Sequence, residues 1–194
     1  MKEGIVLEPE LLKLWGQLNQ LHIQLRDYTM HQYKRINPFC EDLFDWQEKG
    51  HYCSGKESVT IYDSATIVGD VKIGENTWIG PFCTIDGNRA SVKIGSFCSI
   101  SGFVQILTHD TVKWALSGGR LPYEYAPVEI GDCCFIGIQS IILKGVTIGN
   151  HCLVAANSVV IRDLPDYAIV AGNPARIIGR VTISESSVNL EYDR

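Results

Sequence analysis

The sequence predicts a mainly β chain built as a solenoid of short stacked strands, and two periodicities with one pair of interruptions predict it. An aliphatic residue recurs at every sixth position: Ile61, Ile67, Ile73, Ile79 and Ile85, then Ile94, Ile100 and Ile106, then Ile130, Ile136, Ile142, Ile148, Val154 and Val160. That period is neither the 3.6 of a helix nor the plain alternation of a hairpin strand, so each unit is one turn of a repeat stacked on the next. A second column precedes the first by two positions: Ala65, Val71, Thr77, Cys83, Val92, Cys98, Val104, Val128, Cys134, Ser140, Val146, Cys152 and Ser158, all small or β-branched. Residues two apart on a strand share a face, so both columns point inward. Glycine follows the aliphatic residue at Gly74, Gly80, Gly95, Gly131, Gly137 and Gly149, where it is expected to ease the bend between faces.

Residues 1–56 read as an N-terminal helical cap. Leu11, Trp15, Leu18 and Leu25, with Leu14, Leu21 and Tyr28, fall at three-and-four spacing over residues 8 to about 36, the pattern of an amphipathic helix. His22 shares that face and is expected to be a packed core histidine. Asn37-Pro38 opens a short second helix anchored by Leu43, Phe44 and Trp46, which Gly50 is expected to stop. Such a cap covers the exposed edge and apolar cross-section at a solenoid end.

The solenoid domain spans 57–180, followed by a tail over 181–194. Its repeat is interrupted twice. Between Ile85 and Ile94 three extra residues around Gly87, Asn88 and Arg89 are expected to bulge at a corner. Between Ile106 and Ile130 eighteen are inserted, giving the loop 107–127, LTHDTVKWALSGGRLPYEYAP. A long excursion from a rigid body is where sites are built. It carries His109, Trp114, Tyr123 and Tyr125, and aromatic faces beside polar groups suit a sugar.

A net charge of −5 without a basic run argues against nucleic acid or an anionic membrane as the main partner. Without a signal-peptide pattern or an apolar stretch of spanning length, the cytoplasm is the expected compartment. Seven cysteines with no CxxC point to free thiols. Cys83, Cys98, Cys134 and Cys152 lie in the inward column as small core residues, whereas Cys133 faces outward. No metal is expected.

The six-residue column, its small partner column and the AGNPAR ending at 171–176 resemble the hexapeptide-repeat, or left-handed β-helix, acyltransferases, and within them the galactoside, maltose and xenobiotic O-acetyltransferases. The left hand comes from this resemblance, because parallel crossovers are ordinarily right-handed. The resemblance implies acetyl-CoA as co-substrate, a homotrimer, and sites between subunits. Trp78 and Phe97 are outward apolar residues that could meet a partner copy. It also implies a CoA site with Phe135 and Gly137 lining a channel, Ala156 offering backbone to the pantetheine arm, Pro174 in the AGNPA turn, and Arg162, Arg176 and Arg180 meeting phosphates.

By the same resemblance His109, opening the large loop, is the general base for an acceptor hydroxyl, as imidazole chemistry allows. Its orienting partner is left open, with Asp110 adjacent. Asp86 matches an acidic residue that contacts the acceptor, with Trp114 and Tyr123 as further acceptor contacts, although Phe82 stands where those enzymes carry an asparagine. The expected function is acetyl transfer to a sugar hydroxyl. N-acetylation of an amino or nucleotide sugar is the alternative, and a non-catalytic scaffold a more distant one. A γ-carbonic anhydrase shares the prism but needs three zinc-binding histidines, and the repeats hold only His109 and His151.

Overall fold

The computed structural model describes residues 8–193, which form two compact units, one up to Asp45 and one from Trp46 onward. In the first, α1 (Pro9–Tyr33) starts on a proline and ends where Lys34 turns left-handed at φ 57°. Leu11, Leu14, Trp15, Leu18 and Leu21 are exposed. His22 departs from expectation: it is half-buried, its ring 4.7 Å from Phe39 of α2 (Phe39–Leu43), with Nε2 2.9 Å from Arg26.

In the second unit α3 (Trp46–Ser54) leads into the solenoid. Gly50 does not stop this helix but sits buried within it, because a Cβ there would overlap the Val59 carbonyl. Trp46 stacks on Tyr62 at 4.5 Å, and Tyr62 meets Trp78 edge-on at 5.7 Å.

From Thr60 the chain winds as a left-handed parallel β-helix of three faces. The first face stacks Ile61, Ile79, Ile100, Ile136, Val154 and Val170. The second stacks Ile67, Ile85, Ile106, Ile142 and Val160, and the third Ile73, Ile94, Ile130 and Ile148. Almost all of these are buried; Ile67, in the first coil, is only partly covered. Each fully buried isoleucine contributes about 2–3 kcal/mol of transfer free energy, and each coil lends it only to its neighbours.

The small inward column does more than fill space. Thr77 Oγ1 donates to Gly95 O (2.8 Å) and Ser140 Oγ to Ala155 O (3.0 Å). The thiols of Cys83, Cys98, Cys134 and Cys152 donate to Ser101, Gly131, Gly149 and Pro165 carbonyls at 3.0–3.1 Å. Every acceptor is the residue just past an inward aliphatic residue on the next coil. Burial pushes the Cys83 thiol up to about 11, which keeps it a protonated donor.

The bend between faces is not made by the glycines expected to ease it. Left-handed backbone falls three residues after the aliphatic position, at Asn76, Phe82, Phe97, Phe103, Cys133, Gln139, His151 and Asn157. The glycines instead permit close approach of coils: a Cβ on Gly131 would stand 2.8 Å from the Gly149 carbonyl carbon, and one on Gly137 2.5 Å from the Ala156 nitrogen. His151 is part of the corner series, its ring stacked on Tyr167 at 5.0 Å and 2°.

Past the last coil, Ala168–Ala171 joins the first face, and the antiparallel strands Arg176–Ile183 and Val188–Tyr192 extend that sheet. No helix among the described residues is long and apolar enough to cross a membrane.

Gly131→Ala should therefore cost about 2 kcal/mol or more in urea unfolding, because the added carbon meets backbone that cannot swing away. Gln139→Gly, at φ 60°, should stay within about 1 kcal/mol of wild type.

Candidate functional site

The two interruptions of the repeat leave the prism at the same edge, between the second and third faces, on adjacent coils. The first falls within the strand Thr84–Ile94, whose pairing with Thr66–Ile73 shifts register there: Gly69 faces Gly87 and Val71 faces Val92, so the extra residues bulge at the corner as expected. Arg89 takes the left-handed conformation there, at φ 67°. The second follows the strand Gln105–Leu107 and is ordered: His109–Asp110 pairs antiparallel with Glu124–Tyr125, and α4 (Val112–Leu116) lies between them. Trp114 meets Tyr123 edge-on at 5.4 Å.

Pairing of Asp86 with Leu107 across the coils sets Asp86 beside His109. His109 Nδ1 is buried and lies 3.1 Å from Asp86 Oδ2, close but without an aligned hydrogen bond. Asp86 is itself held: Oδ1 accepts from the Asn88 N–H at 2.8 Å, and its carbonyl accepts from the buried Thr108 hydroxyl at 2.7 Å. With Nδ1 turned to the carboxylate, Nε2 is the nitrogen left for the cleft. That cleft, about 170 Å³, is lined by Asn88, Arg89, His109, Tyr123 and Tyr125. The Tyr125 ring lies 6.1 Å from His109, and the Arg89 guanidinium sits over it at 5.8 Å.

Asp110 points elsewhere. Its Oδ1 accepts from the Val112 N–H at 3.0 Å and its Oδ2 pairs with Lys144 at 3.2 Å. Lys144 also reaches Glu124 at 3.4 Å, and Glu124 pairs with Lys113. These contacts fasten the hairpin to the next coil. The Val112 N–H and then Lys144 hold the Asp110 carboxyl below its ordinary value, Lys113 does the same for Glu124, and Asp110 raises the Lys144 ammonium.

Of the residues singled out in the sequence, His109, Asp86, Tyr123 and Tyr125 meet here, and Trp114 supports Tyr123. Gly137 and Ala156 stack on one another at a different edge, between the first and second faces. Phe135 is exposed on the first face beside Ser99 and Leu153. Arg162 is exposed on the last coil, and Pro174, Arg176 and Arg180 lie beyond it, Arg176 in the strand that carries Arg180 over the Tyr167 ring at 5.9 Å. Asn88, Arg89 and Lys144 had not been assigned to the site. Counting hexads by threes reveals the first two, since insertions after Ile85 and Ile106 open at the same edge. His109 and His151 are on different edges, and the described residues contain no group of three or more side chains able to hold a metal ion.

Residues 127–162 match the bacterial transferase hexapeptide (six repeats) family. A Saccharomyces cerevisiae protein that bears an acetyltransferase name is 39% identical over 121 residues, 61% of this chain and 60% of that one. The mitochondrial gamma carbonic anhydrase 2 of Arabidopsis thaliana is 29% identical over 143 residues, 66% of this chain and 50% of that one. The chain thus spans between half and three fifths of these relatives. Among solved structures, AntD, an N-acyltransferase from Bacillus cereus in complex with dTDP and 3-hydroxybutyryl-CoA, superposes with a TM-score of 0.57 at 29% identity. The match covers 63% of this chain and 69% of that one.

The Lys144 contacts give a pH test. A depressed carboxyl adds stability above its unfolded pKa and loses it as pH falls through the folded value, whereas a raised ammonium adds stability that is lost only as pH rises through its own folded value. The hairpin is therefore pinned at neutral pH and released only in acid, as pH falls below the ordinary carboxylate range. Lys144→Met should speed amide exchange over residues 111–124 roughly a few-fold at pH 7, and the difference from wild type should vanish in acid.

Proposed function

As a member of the hexapeptide-repeat acyltransferase superfamily, the chain, we propose, moves an acetyl group from acetyl-CoA to a hydroxyl of a sugar or glycan precursor, with His109 as the general base. The observation that carries this reading is the His109–Asp86 contact at 3.1 Å on the rim of a cleft walled by tyrosines. A carboxylate 3.1 Å from Nδ1 favours, through its charge, the tautomer that carries the proton there and leaves Nε2 unprotonated, and it stabilises the imidazolium once it forms. Acetyl-CoA supplies the activated acyl carbon. Nε2 takes the acceptor's hydroxyl proton as that oxygen forms its bond to the thioester carbonyl carbon. As the C–S bond breaks, His109 returns the proton to the departing thiolate.

Asp86, read from resemblance as an acceptor contact, acts in this reading through His109 as its positioning residue. Trp114 and Tyr123 form the apolar wall for the acceptor ring. The donor lies along the edge carrying Gly137 and Ala156, where Gly137 lets the coils close up and Ala156, exposed with a single methyl, leaves backbone open, with Phe135 beside it and Arg162, Pro174, Arg176 and Arg180 toward its phosphates. His109 and this strip occupy different edges of one prism, so a homotrimer that sets one copy's His109 against another's donor strip fits the arrangement. Use of acetyl-CoA agrees with a cytoplasmic setting.

The likeness to an N-acyltransferase supports a second reading, acetylation of an amino or nucleotide sugar. Thiol release from acetyl-CoA, measured across sugars, amino sugars and nucleotide sugars, separates the two. With a hydroxyl acceptor, His109→Ala should lower kcat/KM by about two orders of magnitude or more, and Asp86→Asn by about one to two, mostly in kcat. Full activity of His109→Ala on an amino sugar would favour N-acetylation.

A further inference from the structure

The charges around the cleft are paired except for one. Asp86 is engaged by the Asn88 N–H and His109; Asp110 by the Val112 N–H and Lys144; Glu124 by Lys113 and Lys144. Those contacts also occupy both lysines. Arg89 lines the same cleft, is exposed, and has no acidic partner among the described residues; its guanidinium rests over the Tyr125 ring. A guanidinium is permanently charged and presents a planar fork of donors suited to two oxygens of one anion. The ring beneath restricts its swing, which lowers the entropy lost when it closes on a ligand.

Arg89 and His109 line one cleft and both lie against the Tyr125 ring, so an anion held by Arg89 shares that cleft with the base. The three-residue insertion that carries Arg89 also supplies the Asn88 N–H that orients Asp86. The cleft's only unpaired fixed charge among the described residues is thus positive and lies in the same cleft as His109.

We propose that the acceptor is an acidic sugar, one bearing a carboxylate or a phosphate close to the acetylated hydroxyl, and that Arg89 selects it by gripping that anion. The proposal rests on the cleft being the acceptor site.

D-galactose, D-galacturonate and D-galactose 1-phosphate are matched probes that differ in the charged group. Their binding to the whole protein, followed by NMR titration without acetyl-CoA, keeps recognition separate from transfer. At least one acidic probe should bind about tenfold or more tightly than galactose, which of the two revealing whether carboxylate or phosphate is preferred. Arg89→Gln should abolish the preference, Arg89→Lys should retain part of it, and added salt should weaken it. Equal binding of all three, including no binding by any, overturns the proposal, as does a preference that survives Arg89→Gln in a variant with wild-type thermal unfolding. An Arg89-dependent preference with no thiol release for any acceptor upholds the anion site and removes the acetyl-transfer reading. Thiol release with neutral sugars alone does the reverse.

Discussion

Everything in the second unit depends on each coil pairing with the next at a fixed step, as Phe135 and Ile136 pair with Leu153 and Val154 eighteen residues on. The inward isoleucines supply the driving force, but they would tolerate a slide along the axis. The lateral bonds from Thr77, Ser140 and the buried thiols to carbonyls of the neighbouring coil would not, because each donor meets one carbonyl on that coil. Glycine after the aliphatic residue lets the backbones come close enough for those bonds to form.

A lattice this regular has few places where extra chain can leave. Interior positions are closed by packing, so insertions exit at corners. Two on the same edge of adjacent coils build a wall together: the shorter brings Asn88 and Arg89, the longer brings His109 and the tyrosines, and Asp86 joins them from below. Lys144 ties the longer piece to the coil above, which makes a loop on a surface behave as an ordered part of the scaffold. The placement of the imidazole thus derives from the register of the repeats beneath it.

The columns that define the fold are readable in the sequence because packing demands the same residue class at every sixth position. What goes unread is what packing does not demand. Phe82, Cys133 and Gln139 adopt left-handed backbone although none has a type that advertises it, so a linear reading assigns the bend to the nearby glycines instead. Gly50 was read as a helix stop for the same reason, when its role is contact with Val59. At the site, His109 stood out by its place at the mouth of a long loop. Its partner Asp86 was noticed only by resemblance, since the contact depends on a register across coils that a linear reading does not display. Lys144 sits in an unremarkable hexad and gains its role from a hairpin folded over it.

The central claim is that Asp86 fixes the His109 ring with Nδ1 protonated and Nε2 bare, and ¹⁵N NMR of the histidine side chain tests it most directly. At a pH where the ring is neutral, wild type should show the Nδ1–H tautomer, and Asp86→Asn should shift the population toward Nε2–H. An Nε2–H tautomer in the wild type, or a tautomer indifferent to Asp86, would contradict the account.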